Sequence, residues 1–224
     1  MSNNSVAIFH SNDLMPKNAD QVMKFKQNSD LFHLSGIDQE ETVLVLVKNT
    51  EGVEEILFIK ETNEAIKIWE GEKLTKTEAQ QKSKITTVFW NTEFKKEISN
   101  TGSSSSIIYL NSNDHPRANI VVESRDARFK RWIQNKFPKK VYKKSSDILY
   151  EIRAIKQKPE IQLIQKACDI TALGVKRVLK NLRPGIHEYE IEAEIIHEFL
   201  INKSSESIIT TYDPDAFNID SLNA

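Results

Sequence analysis

The apolar residues of this chain change their period once, and that change sets what it can become. From Val43 to about Tyr142 they come in short runs separated by polar, helix-like stretches. From Ile148 onward they recur at three- and four-residue steps instead. The first pattern is that of strands alternating with helices, which gives a mixed α/β domain of roughly 140 residues. The second is that of long amphipathic helices. Two such helices cannot cover their own apolar faces, so the second block is expected to open a domain whose remainder is absent.

Within the first block, Val43-Leu44-Val45-Leu46-Val47 is a continuous β-branched run, as expected of a strand covered on both faces. The turn Thr50-Glu51-Gly52 leads into Ile56-Leu57-Phe58-Ile59, which predicts a hairpin. Ile85 to Trp90 and Ile107 to Leu110 are further strands. Thr92 to Ser99 reads as a short helix, and Thr101-Gly102-Ser103-Ser104-Ser105-Ser106 as a flexible loop. Arg125 to Phe137 is a helix stopped by Pro138. In the second block, Pro159 suits a first helical turn. Ile161, Ile164, Cys168, Thr171, Val175, Val178 and Leu182 then form its apolar stripe, closed by Pro184-Gly185. A second helix begins near His187, with Ile191, Ile195 and Phe199 as its buried row.

Composition narrows the function classes. Lys and Arg number 31 against 32 Asp and Glu, a net charge of -1, and no basic block offers itself to phosphates, so nucleic acid is not an expected partner. The single cysteine, Cys168, excludes an intrachain disulfide and a thiolate metal cage, which fits a reducing, cytoplasmic setting. No apolar run approaches the ~20 residues that span a bilayer. The polar N-terminus, Met1-Ser2-Asn3-Asn4-Ser5, is not a secretory signal. A soluble cytoplasmic protein with no membrane partner is the expectation.

No catalytic constellation emerges from the residues alone. His187, Glu190, Glu194 and His197 can share one helical face, yet residues ten apart on a helix are separated by about 15 Å. They cannot ligate one ion and are expected to be a solvated polar face. Asp213, Asp215 and Asp220 lack EF-hand spacing and read as an acidic tail. Cys168 sits on its helix's apolar stripe as a small core residue. His10, His33 and His115 are isolated, the last in the loop Asn113-Asp114-His115-Pro116-Arg117.

Two stretches resemble a known family. Asn28-Ser29-Asp30-Leu31-Phe32-His33-Leu34-Ser35-Gly36-Ile37, the two strands after it and Ile68-Trp69-Glu70-Gly71 look like the N-terminal domain of aminopeptidase P. Ser29 and Asp30 suit a capped turn there and Gly36 a tight bend. Glu151-Ile152-Arg153-Ala154-Ile155-Lys156, Glu160-Ile161, and Leu182-Arg183-Pro184-Gly185-Ile186-His187-Glu188 resemble the opening of the pita-bread domain shared with prolidase, creatinase and methionine aminopeptidase. His197-Glu198-Phe199 and Asn202 are similar to the bacterial branch. His187 departs from the Ser or Thr that usually caps that helix.

The resemblance implies an α/β fold: a creatinase/aminopeptidase P N-terminal-type domain with a mixed sheet over 1–147, then the first helices of a truncated pita-bread domain over 148–224. It also implies the family activity, metal-dependent removal of an N-terminal residue preceding proline. In the family two Mn2+ ions are held by two Asp, one His and two Glu, and they activate a water. Those ligands come tens of residues after the Pro-Gly-x-x-Glu helix, whereas this chain ends 36 residues after Glu188. No catalytic or metal residue is therefore carried over, and this chain is expected to be inactive alone and to bind no Mn2+. The one transferable contact is Trp69, which in oligomeric relatives reaches toward a neighbouring subunit's site. Expected partners are peptides with proline at the second position and a second copy in a homo-oligomer. Two alternatives stay open: a non-catalytic protein-interaction domain on the same scaffold, and a prolidase fragment.

Overall fold

The computed structural model describes residues 1–19, 21–112 and 122–204. They fall into two compact units, Met1–Ala154 and the residues from Ile155 onward. The first contains β1 (Ser5–His10), a small ribbon of β2 (Pro16–Asn18) and β3 (Gln21–Val22), α1 (Ser29–Ser35), β4 (Val43–Lys48) and β5 (Val53–Ile59). There follow α2 (Glu64–Glu70), α3 (Lys76–Ser83), β6 (Thr87–Trp90), α4 (Phe94–Ser104), β7 (Ile107–Leu110), α5 (Arg125–Lys136), β8 (Val141–Lys144) and α6 (Ser146–Ala154). The second unit holds α7 (Lys158–Asn181) and α8 (Glu188–Ile201). Helix α6 spans the junction expected at 147/148 and belongs to the first unit.

The main sheet has the order β6-β5-β4-β1-β7-β8 and is mixed. Strand β4 is antiparallel to both β1 and β5, while β1/β7, β5/β6 and β7/β8 are parallel. Every strand but β4 therefore points the same way. Alternation along the central strands sorts the core into two layers. Ala7, Phe9, Leu44, Leu57 and Ile59 pack with Leu31 of α1, Ala79 of α3 and Leu149 of α6. Val6, Ile8, Val43, Val45, Ile56 and Phe58 pack with Phe94 and Ile98 of α4 and Ile133 of α5.

The β4–β5 hairpin forms as the sequence predicts. Its turn is set by Asn49, whose Oδ1 accepts from the backbone N–H of Glu51 at 2.9 Å and of Gly52 at 2.8 Å. Gly36 ends α1 at φ 65°, the left-handed conformation that glycine adopts without a Cβ penalty. The cap at the start of α1 is Asn28 rather than Ser29 or Asp30: its Oδ1 accepts from Asp30 N and Leu31 N.

Two expectations are corrected, and one strand had no counterpart among them. Strand β1, every residue of it buried, was not anticipated; covered on both faces, it offers no alternation to read. Residues 101–104, expected to be a flexible loop, are the last turn of α4. The Thr101 and Ser103 hydroxyls donate to the carbonyls of Glu97 and Ser99 four residues back, satisfying polar groups that would otherwise favour a turn. Gly102 is there for space, because a Cβ on it would lie 2.6 Å from Cε2 of Phe137. We expect Gly102→Val to destabilise the first unit by about 1–3 kcal/mol through overpacking, read as a lower urea midpoint at unchanged slope. In the second unit, the face of α7 turned to α8 is built on Ile170 and Gly174, while Ile161, Ile164 and Val175 are exposed. Cys168 is exposed and is not a core residue.

Candidate functional site

Because β1, β5, β6, β7 and β8 run in one direction, their carboxyl ends share one edge of the sheet. The chain leaves β1 toward α1 on one face and leaves β7 toward α5 on the other. Between β1 and β7 the winding reverses, the place where open α/β sheets form a crevice. That edge is rich in buried polar groups. Ser11, Asn111 and Ser145 are each at most 5% exposed. Arg125, at the start of α5, donates to Ser11 Oγ at 3.1 Å, and Ser145 Oγ donates to Asn111 Oδ1 at 3.3 Å.

Three carboxylates lie near the same edge. Arg128 Nη2 holds both oxygens of Asp13 at 2.8 Å, and Arg153 pairs with Asp30 at 2.5 Å. Asp126 is raised to about 6, first by burial and then by the Asp30 carboxylate. His10, the last residue of β1, is 4% exposed and lies between Phe94 and Phe129, with ring centroids at 5.6 and 4.2 Å. Neither ring nitrogen has a hydrogen-bond partner. Burial, reinforced by the Arg125 guanidinium, pushes its pKa down to about 3, so the imidazole is neutral at pH 7. It is a core aromatic.

Further along the same edge, a second polar cluster lies where the chain leaves β5. Glu40 Oε1 is 2.6 Å from Lys73 Nζ and 3.7 Å from Lys60 Nζ, and Lys60 pairs in turn with Glu70 at the end of α2. Trp69, the one expected substrate contact, lies on α2; its side chain is outside the described residues. His115, Asp213, Asp215 and Asp220 also lie outside them. His33 is on α1 and exposed.

On α8 the four polar residues do not act together. Glu190 Oε2 accepts from the backbone N–H of His187 at 2.9 Å, completing the turn where the usual Ser or Thr cap is missing. Glu194 does not face solvent alone. Arg177 of α7 pairs with it and with Glu198, the latter at 3.2 Å. His197 is half exposed, 3.9 Å from Glu198 Oε1. Nothing in the sequence marks Glu40, Lys60 and Lys73 as partners, since they lie 13 to 33 residues apart and each is ordinary in a chain that is 28% charged. Among the described residues no three His, Cys, Asp or Glu side chains are grouped to hold a metal ion, and no helix is long and apolar enough to cross a membrane.

Comparison with known proteins gives this edge its context. The family pattern described as "Aminopeptidase P, N-terminal domain" matches residues 1–109. The chain begins with an aminopeptidase P N-terminal domain. Its likeness to aminopeptidase P proteins runs further than that domain. The Escherichia coli Xaa-Pro aminopeptidase is 26% identical over 201 residues, covering 89% of this chain and 46% of the relative. A Bacillus anthracis structure assigned as an aminopeptidase P superposes with a TM-score of 0.81 at 26% identity, over 90% of this chain and 48% of that one. Zn-substituted Escherichia coli aminopeptidase P in complex with product superposes with a TM-score of 0.74 at 25% identity, over 90% of this chain and 46% of that one. The chain thus spans about half the length of the relatives it matches. The mixed six-stranded sheet and the α7–α8 pair both fall within the aminopeptidase P region that is shared.

Proposed function

We propose that this chain supplies the N-terminal domain, residues 1–147, and the opening of the pita-bread domain, 148–224, of an Xaa-Pro aminopeptidase. The observation that carries the reading is the match of residues 1–109 to the family's N-terminal domain, with structural likeness continuing through α8. On this reading the enzyme is cytoplasmic and homo-oligomeric, and it releases an N-terminal residue that precedes proline. Trp69 contributes a wall of the substrate-binding surface.

The metal chemistry does not belong to the described residues. Two Mn2+ ions would supply an activated water in the complete enzyme. Here most carboxylates that approach one another are committed to cations, and Asp126, near Asp30, has its pKa raised to about 6, which favours its neutral form. Asp13 is taken by Arg128, Asp30 by Arg153, and Glu194 and Glu198 by Arg177. This donor set does not fit a two-ion site, and no step is assigned to it.

The test is a chimera in which residues 1–147 replace the matching domain of the Escherichia coli relative. The chimera is expected to retain Mn2+-dependent release of the first residue from an Xaa-Pro peptide, and Trp69→Ala within it to raise KM. The 224-residue chain alone is expected to release nothing. A folded, metal-loaded chimera without Xaa-Pro activity would sink the reading, and release by the chain alone would overturn the assignment of its residues.

A further inference from the structure

The segment between β5 and α3 leaves the sheet after Ile59, runs through α2 and comes back at Leu74. Both its exit and its return are tied to one buried loop, residues 37–42. Glu40 is 6% exposed, and its carboxylate takes Lys73 on the return side and Lys60 on the exit side. Lys60 also reaches Glu70, and Glu41 at 3.5 Å. One residue earlier, the Gln39 side chain accepts from the backbone N–H of Leu74 at 2.8 Å. The loop cannot easily yield, since the Gln39 carbonyl accepts from Gln27 Nε2 and from Thr42 Oγ1, each at 2.9 Å.

The segment itself has little else to hold it. Among the described side chains from 61 to 73 none is buried, and Ile68 is 77% exposed. Gly71 turns the chain back at φ 79° with open space where a Cβ would be. Among the described side chains of this strap, none anchors it in the apolar core.

We propose that Glu40 is the centre of an ionic latch that fixes the strap of residues 61–73, and that the strap opens as a unit when the latch loses its charge while the sheet stays closed. A carboxylate this buried persists only beside cations, and removing it takes the carboxylate partner from the largely buried Lys73 ammonium and one of three from Lys60. Burial opposes ionisation of Glu40, but the Lys73 ammonium, a hydrogen bond from its own backbone N–H and the Lys60 ammonium together outweigh it and hold its pKa below the ordinary carboxylate value. Burial likewise opposes the charge on Lys60, and Glu70, Glu41 and Glu40 outweigh it and raise its pKa. The latch gives α2 a fixed position through its two ends, and it stands independently of the peptidase reading.

Amide hydrogen exchange on the full chain tests this. In Glu40→Gln, the amides of 64–70 are expected to exchange at least about tenfold faster, while those of β4 and β5 keep their wild-type rates, because loss of one partner of a buried pair is costly only where the pair is the anchor. Glu70→Gln removes an exposed partner, leaves the core untouched, and is expected to accelerate the same amides a few-fold. Unchanged exchange across 64–70 in either variant, or acceleration spread evenly into β4 and β5, would overturn the latch. If Glu40→Gln does not fold, Glu70→Gln and Lys73→Met decide by the same comparison.

Discussion

Lowering the pH from 7 to 4 is expected to cost the first unit about 3 kcal/mol through His10 alone. In the folded chain the imidazole has a pKa of about 3, against an ordinary value of 6.5. Between those values the unfolded chain binds the extra proton. Stability is therefore full above pH 6.5 and is lost progressively as pH falls toward 3. Asp126 works in the opposite direction. Its folded carboxyl is raised to about 6, so its burial weakens the fold as pH rises through that window. Its shift is the smaller of the two, and it is common to any variant that alters only His10.

The measurement is a set of urea midpoints for wild type and His10→Phe at pH 7, 5 and 4. Phenylalanine keeps an aromatic ring against Phe94 and Phe129 and removes the two unpartnered nitrogens. It is expected to match or exceed wild-type stability at pH 7, with its advantage growing by about 3 kcal/mol at pH 4. An advantage that stays constant with pH would show that His10 finds a proton-compatible environment in the folded chain.

Phe58→Ala should have the largest effect of any single side-chain truncation in the sheet. Phe58 is 1% exposed and lies against Phe89 and Phe94, with ring centroids at 5.7 and 5.3 Å. Cutting back a fully buried phenylalanine leaves a cavity and costs about 3–5 kcal/mol. A domain with a total stability of about 5–15 kcal/mol loses much of its margin this way. All three tryptophans, Trp69, Trp90 and Trp132, belong to the first unit, so their fluorescence follows its unfolding without contribution from α7 and α8. A drop of less than about 1 kcal/mol would mean that neighbouring rings close the cavity.

What the sequence made legible was whatever depends on neighbours in the chain. The Val43–Val47 run and the Asn49–Gly52 turn specify the hairpin locally, and Arg125–Lys136, α7 and α8 each carry a helical stripe and a stop. Illegible features depend on distant partners. Strand β1 is short, ends in a histidine and starts in a serine, and only the helices on both sides explain why all six residues are buried. The Ser-rich end of α4 reads as a loop until Phe137 is placed against Gly102. On α7 the apolar residues outnumber the positions α8 covers, so much of the predicted stripe, Cys168 included, is exposed in this chain. The candidate site suffers most from this. The Glu40, Lys60 and Lys73 cluster joins three ordinary surface residue types across a loop, a strand end and a strap. Trp69 stood out only through its likeness to a family motif.

The central place of β1 also sets the order of assembly. Its Ser5 pairs with Lys48 on one side and with Ile107 on the other. On a ribosome releasing the chain from its N-terminus, the β4–β5 hairpin can close as soon as it emerges. The first strand made must wait, unpaired on its second edge, until about half of the chain has followed it. Such a delay lengthens the interval in which an apolar strand is exposed to other chains. Crowded synthesis is therefore one stage at which this strand is open to aggregation.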